Sequence, residues 1–298
     1  MAKNKYSFSY LAQGCLKKIS PLIKDDKFYL SLRHRIAFSK KMDWENPLSY
    51  NEKMQWLKLY DRNPIYTIMA DKFLVKEYVA NLIGEEHVVP LIGVWDNPED
   101  IDWDALPDKF AMKCNHNSGG GMIICKDKSK LQISKAMEGL RKGLKDDYYL
   151  RSREWPYRNI PRKIIAEKFM DDGRKGELQD YKIWCFNGVP TYMYVSNKGG
   201  RIYENFYDMD FNVADINHGS DRYEPEYKKP AQFEEMKQLA TKLSQGLPFV
   251  RVDFFIVCGT VYFAEFTFYD WGGFRPFSDY VTDLKIGNFI TLPEKRIK

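Results

Sequence analysis

Between Phe249 and Phe277 the chain reads FVRVDFFIVCGTVYFAEFTFYDWGGFRPF, and this stretch limits the fold more than any other. Two runs rich in β-branched and aromatic residues meet at Cys258-Gly259, the pattern of two strands joined by a tight turn. Residues two apart share one face of a strand, so Arg251 and Asp253 come beside Glu265 and Thr267 across the turn. Two carboxylates and an arginine on an otherwise apolar hairpin are costly to bury unless a cation or an anionic ligand completes the cluster. Hard divalent cations such as Mg²⁺ take oxygen ligands of this kind. The same residues also read as a salt bridge among outward-facing polar positions.

Composition narrows the setting. A chain of 298 residues, 44% hydrophobic and 29% charged, can bury one large core or two smaller ones. The net charge of +5 is spread along the chain and does not indicate nucleic acid; anionic small molecules suit it equally well. Five cysteines lie far apart without a CxxC, which argues against zinc and a disulfide framework and for a reducing compartment, so a cytoplasmic protein is expected. No run approaches the roughly 20 apolar residues of a membrane span, and the polar start MAKNKYSFSY lacks a signal-peptide core. The segment from Tyr6 to Leu32 mixes lysines with aromatic and aliphatic residues. It reads as an amphipathic packing arm, with docking on the inner face of a membrane or on a biosynthetic complex as the alternative.

The first part of the chain is helical. Ser49 and Glu52 have capping-box spacing ahead of Met54, Trp56, Leu57 and Tyr60, and Phe73 to Ile83 repeats apolar residues at helical spacing before Gly84. From Val88 the texture changes to short strand-like runs: VVPLIGVW, KFAMKCNH, GMIICKD, KIIAEKF, KIWCF, PTYMYVS, PFVRVDFF and TVYFAEFTF. Asn187-Gly188 signals a two-residue hairpin, and helices are expected over Lys135 to Leu144 and Gln232 to Leu243. The order is α+β without βαβ repetition.

Lys113-Cys114-Asn115-His116-Asn117-Ser118-Gly119-Gly120-Gly121 lies between two strand-like runs. Its glycines let backbone N–H groups converge as in a phosphate-binding loop, with Lys113 adding charge at the edge. It lacks the Gly-Lys-Ser/Thr of a Walker loop and also reads as a flexible hairpin turn. In the run from Ile164 to Met170, Glu167 is a lone acid. A strand-end carboxylate suits an amine or sugar hydroxyls, whereas a Glu-Lys pair there also suits a solvated sheet edge.

In this order, MADKFLVKEYV, FAMKCNHNSGGGMIICKDK, IIAEKFM, DYKIWCFNGVP and VRVDFF…VYFAEFTFYDWGGFRPF resemble the ATP-grasp superfamily over about Asn46 to Phe277. Within it the chain is most similar to the TupA-like ATP-grasp proteins of teichuronopeptide and cell-surface polysaccharide clusters. The resemblance implies two α+β subdomains clasping nucleotide behind a helical amino-terminal region. Residues 1–60 would be a helical arm, 61–108 the first part of the module, 109–170 a small subdomain with the glycine-rich loop and 171–298 a large subdomain with the metal site. It implies that Lys72 and Lys113 touch ATP phosphates, that Ser118, Gly119, Gly120 and Gly121 cover them, and that Glu167 lies near adenine or ribose, with Asp180 and Lys182 as further nucleotide-side positions. Asp253 and Glu265 match the Mg²⁺ carboxylates, and Arg251 the arginine that steadies the transferring phosphoryl group. Thr267 stands where many superfamily members carry an Asn metal ligand, so its hydroxyl is a weaker ligand or acts through water. Tyr269-Asp270-Trp271 replaces a small, proline-containing turn, and acceptor recognition is expected to differ there.

The function so implied is a carboxylate–amine ligase acting through an acylphosphate, with a surface glycan or its precursor and an amino acid or amine as substrates. Lys113 and Arg251 would be its catalytic cations. Arg275, Gly273 and Lys198 are candidates for holding the acceptor, with Arg275 and Lys198 also reading as solvated surface charges, and His116, which also reads as a loop histidine with no catalytic role, stays outside the catalytic set. The alternatives are a glycosyltransferase using Asp208-Met209-Asp210, an ATP-grasp small-molecule kinase, and a non-catalytic nucleotide-binding subunit.

Overall fold

The structure, a computed structural model, describes residues 2–171, 178–197, 203–224 and 226–296. Lys198, Asp172 and Gly173 lie outside them. In chain order the helices are α1 (Ala2–Ile19), α2 (Asp26–Phe38), α3 (Tyr50–Tyr60), α4 (Ile65–Ala70), α5 (Leu74–Ile83), α6 (Ile133–Lys145), α7 (Tyr148–Ser152), α8 (Phe233–Ser244) and α9 (Tyr280–Gly287). The strands are β1 (Leu91–Trp95), β2 (Phe110–Cys114), β3 (Ile123–Cys125), β4 (Ile164–Lys168), β5 (Asp180–Phe186), β6 (Val189–Asn197), β7 (Tyr203–Asp208), β8 (Phe249–Val257) and β9 (Thr260–Thr267).

The strands form two sheets, a four-stranded one in the order β1-β4-β2-β3 and a five-stranded one in the order β7-β6-β5-β8-β9. Every neighbouring pair of strands in both sheets is antiparallel, so the expected α+β class is what the chain adopts. The smaller sheet packs Phe110, Met112, Ile164 and Ala166 against Leu140 of α6. The larger sheet carries the main core, a single buried cluster that takes in Val252 and Phe254, the α8 residues Phe233, Met236 and Leu243, and Trp184 and Phe249. Tyr50 of α3 stacks on Trp184 at 5.4 Å. No helix among the described residues is long and apolar enough to cross a membrane.

The Ser49 capping box is present: Glu52 N donates to Ser49 Oγ at 3.3 Å, and Ser49 N to Glu52 Oε2 at 3.1 Å. Helices α1 and α2 are a packing arm. Leu16, Tyr29 and Leu30 close over Phe274, and Tyr29 OH donates to Arg151 O at 2.9 Å, tying the arm to α7.

Two readings of local sequence are corrected. Glu167 does not lie on a solvated edge, because β4 is flanked by β1 and β2 and the Glu167 side chain is buried. Tyr203 to Asp208, absent from the strand-like runs, is a strand, β7, in which Glu204 and Asn205 are buried.

Candidate functional site

The hairpin of β8 and β9 sets the first half of the site. Its register pairs Asp253 with Glu265 and Arg251 with Thr267, and β5 on the other side pairs Lys182 with Asp253. Period-two geometry then brings all five side chains to one face. Arg251 donates to Asp253 from Nε at 2.6 Å and Nη2 at 2.7 Å, reaches Glu265 from Nη2 at 3.1 Å, and bonds Asp270 and Tyr194 OH from Nη1. Lys182 Nζ lies 2.5 Å from Asp253 Oδ2 and 3.6 Å from Asp180. Burial by itself would raise the Asp253 carboxyl, but Arg251 and Lys182 outweigh it and hold the group below its ordinary range. Burial likewise opposes the charge on Lys182, and Asp253 overcomes it, leaving the amine raised.

Four carboxylates, Asp180, Asp253, Glu265 and Asp270, thus surround Arg251 and Lys182. Four against two leaves two negative charges, or one once Lys72 is included, since its charge also interacts with Glu265. Surplus negative charge on hard oxygens is what a divalent cation neutralises. Glu265 keeps 40% of its side chain exposed, whereas Asp253 is buried. Among the described residues no three His, Cys, Asp or Glu gather as a metal cage, so Asp253 and Glu265 would share the ion with phosphate and water oxygens, as Mg²⁺ sites commonly do. Thr267 Oγ1 is spent on Glu265 Oε1 at 3.4 Å.

The second half is built where β2 runs into the glycine-rich loop. Asp71 braces the turn into α5 by accepting from Phe73 N at 2.8 Å and also accepts from Asn115 Nδ2 at 2.9 Å. That side-chain bond and the backbone bond from Lys72 N to Asn115 O, 3.1 Å, fasten Lys72 to the loop. Lys72 Nζ donates to Asn117 O at 2.5 Å. Burial lowers the Lys72 amine, opposed first by Glu265, while Lys113 lowers it further. Glu167 is gripped by Lys76 at 2.5 Å and Lys113 at 2.6 Å. Burial would raise its carboxyl, yet the two lysines keep it below the ordinary value.

The loop joins β2 to β3, with Ser118 and Gly119 exposed at its tip. Its base is seated on α6: Asn117 Nδ2 donates to Gly143 O at 3.1 Å, and a Cβ on Gly121 would meet Gly139 O at 2.9 Å. His116 is buried, its Nε2 3.1 Å from Asp146 O, so it faces the end of α6.

Several residues missed by sequence reasoning enter here. Lys76 stands one helical turn beyond Lys72, a spacing that could have revealed it. Asp270 accepts from Arg251, Trp184 Nε1 and Tyr194 OH, and its signal was an acid in the turn just after β9. Tyr148, at the start of α7, lies within hydrogen-bond reach of Ser118, and its hydroxyl is pushed up first by Glu154, then by burial and Glu265. No sequence signal pointed to it.

Other candidates sit elsewhere. Asp180 and Lys182 belong to the Asp253 cluster and not to the lysines around Glu167. Arg275 pairs with buried Glu204 at 2.9 Å and stacks on Trp271 at 4.1 Å. Gly273 lies against α3, where a Cβ would meet Met54 Cβ at 2.5 Å, so its place is a close approach of backbone to helix. Asp208 of the Asp-Met-Asp element is spent on the turn, accepting from Asp210 N at 2.9 Å and Asn212 N at 2.8 Å.

Among solved structures, similarity extends to D-alanine–D-alanine ligase from Helicobacter pylori, at 15% identity, covering 81% of this chain and 69% of that one with a TM-score of 0.44. It also extends to D-alanine–D-alanine ligase from Bacillus anthracis, at 16% identity, 67% and 57% coverage and a TM-score of 0.40. A third is N5-carboxyaminoimidazole ribonucleotide synthetase from Thermus thermophilus, at 14% identity, 67% and 45% coverage and a TM-score of 0.40. The chain therefore spans less than two thirds of the second and third proteins. No curated protein matches it. The family model for TupA-like ATPgrasp matches residues 52–291, which takes in both sheets, the glycine-rich loop and the Arg251 cluster. The chain belongs to the TupA-like ATP-grasp family.

Proposed function

We propose that this chain is an ATP-dependent ligase that joins a carboxylate to an amine through an acylphosphate. The carboxylate would be borne by a bacterial surface polysaccharide or its precursor, and the amine by an amino acid or similar molecule. The observation that carries the reading is the position of Lys72. It is bonded to the glycine-rich loop through Asn117 O, and its charge interacts with those of Glu265, Lys113 and Glu167. A cation bonded to a phosphate-type loop and sharing the field of the carboxylate pair suits the γ-phosphoryl group of a bound nucleotide. Family membership supports ATP as that nucleotide. The resemblance to teichuronopeptide-type proteins supports the glycan side.

In this reading Lys72 and Lys113 hold phosphate oxygens, Ser118 to Gly121 cover them, and Glu167 orients Lys113 and Lys76. Asp253 and Glu265 would hold Mg²⁺, which when bound draws charge off the phosphate oxygens. A carboxylate oxygen of the substrate attacks the γ-phosphorus, the bond to the β–γ bridging oxygen breaks, and ADP leaves. The amine nitrogen then attacks the acyl carbon and loses a proton, and phosphate departs with the electrons of the broken C–O bond. Arg251, fixed by Asp253 and Asp270, would serve the oxyanion at that carbon with its charge and with the Nη2 N–H that now bonds Glu265, freed when that carboxylate holds the metal.

The test is purified protein with Mg²⁺ and ATP against a panel of carboxylates and amines. ADP and phosphate formation that requires both a carboxylate and an amine supports ligation. ADP formation with a phosphorylated product and no amine requirement would instead favour a kinase. Protection against thermal unfolding by a nucleotide sugar but not by ATP would revive glycosyl transfer.

A further inference from the structure

The net charge of +5 is not spread along the chain as expected. Residues 1–24 hold five lysines and no Asp or Glu, which leaves residues 25–298 with 41 basic residues against 41 acidic ones. The whole excess therefore belongs to α1 and the turn behind it. A neutral body with one basic segment presents its field at a single place, and an anionic partner is attracted there.

Helix α1 packs by one face only. Ser9 Oγ donates to Ile36 O at 2.9 Å, Leu16 is buried with Tyr29, Leu30 and Phe274, and Ser20 Oγ, just past the helix, donates to Leu150 O. The opposite face carries Leu11, Cys15, Lys18 and Ile19 at spacings of one, three and four, followed by Leu22. Leu11 is 64% exposed, Ile19 49% and Leu22 81%, the largest exposure of any large apolar residue described. A single apolar residue in water is ordinary, but three within twelve positions, left uncovered, call for an occupant. Lys18 and Lys24 are exposed beside them and form no ion pair among the described residues. The nearest acids in sequence are engaged: Asp25 caps α2 by accepting from Phe28 N at 3.0 Å, and Asp26 pairs with Arg62 and Arg153. Packing and docking are thus not alternatives for this arm, because they use opposite faces.

We propose that this outer face seats the protein on an anionic lipid bilayer, with Leu11, Ile19 and Leu22 in the acyl boundary and Lys18 and Lys24 among headgroup phosphates. A helix lying in the interface needs an apolar stripe to enter the acyl region and cations to meet the headgroups. Nucleic acid would take up the lysines and leave the leucines in water. An acidic protein would have to offer carboxylates and apolar side chains at matching spacing, whereas a fluid bilayer adapts to the spacing the helix presents. Docking of this kind is independent of the ligase reading.

The experiment sediments the full chain with vesicles of phosphatidylcholine alone and of phosphatidylcholine with one third phosphatidylglycerol, at low and high salt. The wild type should partition onto the anionic vesicles about tenfold or more better than onto the neutral ones, and added salt should weaken it. The double variants Leu11→Ser with Leu22→Ser, and Lys18→Glu with Lys24→Glu, should each lose about tenfold or more of that partitioning. Their melting temperatures should stay near wild type, since all four positions are exposed. Retained partitioning in the leucine variant, or equal binding to both kinds of vesicle, overturns the proposal. A wild type that stays in solution beside anionic vesicles overturns it too, and its capture by immobilised polyglutamate would then assign the face to an acidic protein.

Discussion

Arg251 holds Asp253, two residues further along the same strand, by a forked pair of N–H···O contacts of 2.6 and 2.7 Å. Only a planar guanidinium makes that grip and still has a nitrogen free to reach Asp270 and Tyr194. Arg251→Lys keeps a positive charge but loses the fork. We expect kcat to fall by about 100-fold or more, with the melting temperature recorded alongside to separate catalysis from folding. A lysine variant with wild-type kcat would show that the charge alone suffices.

The glycine-rich loop gives a graded test of packing. Gly119 and Gly121 both have positive φ, but a Cβ on Gly119 meets nothing within 4 Å, whereas one on Gly121 meets Gly139 O at 2.9 Å. Gly119→Ala should therefore cost about 1–2 kcal/mol of backbone strain and little else. Gly121→Ala should cost more, because loop or helix must also shift, and should weaken nucleotide affinity. Chemical denaturation and titration with an ATP analogue measure both. Equal effects would mean that the loop is not seated on α6.

Glu167 links stability to pH. Burial would raise its carboxyl, but Lys113 and Lys76 hold it below the unfolded value of 4.5. A depressed folded value means stabilisation that is complete above that pH and lost as the pH falls through the folded value. Thermal melts from pH 7 downward should show an acid limb below pH 4.5 that flattens in Glu167→Gln. The variant is also less stable at neutral pH, since two lysines lose their partner. An unchanged acid limb would assign the loss to other carboxylates.

Lys58 is fully buried beneath the Trp271 turn, donating to Gly272 O at 2.5 Å and Gln55 Oε1 at 3.0 Å, with Glu154 as its nearby opposite charge. Burial drives its amine well below the ordinary value, against the pull of Glu154. Lys58→Met should destabilise by about 1–3 kcal/mol, because Gly272 O and Gln55 Oε1 lose their buried donor, while Glu154 keeps the Arg33 charge nearby. A double-mutant cycle with Glu154→Gln should show a coupling between the two positions smaller than that loss. Strict additivity would mean that the two charges do not interact.

Much of this was legible before any coordinates. The hairpin was readable because a period of two and one turn at Cys258-Gly259 fix which residues share a face, and the observed register pairs Asp253 with Glu265 as that argument requires. The α5 and α8 helices were readable from apolar spacing and a terminal glycine. What stayed hidden depends on contacts between distant segments. Glu167 looked like an edge residue because nothing local says that β1, far earlier in the chain, covers β4. Tyr148 reaches the site only because the short α7 returns to the loop, and Asp270 only because its turn folds back over Trp184 and Tyr194.

On the proposed route a substrate carboxylate takes the γ-phosphoryl group before the amine arrives. It is tested most directly by supplying the carboxylate that supports turnover with ¹⁸O in both oxygens and analysing the released phosphate by mass. An acylphosphate route predicts one ¹⁸O in each phosphate formed, and Glu265→Ala should abolish that transfer while the half-exposed position leaves the melting temperature near wild type. Phosphate free of label during amide formation would contradict the account.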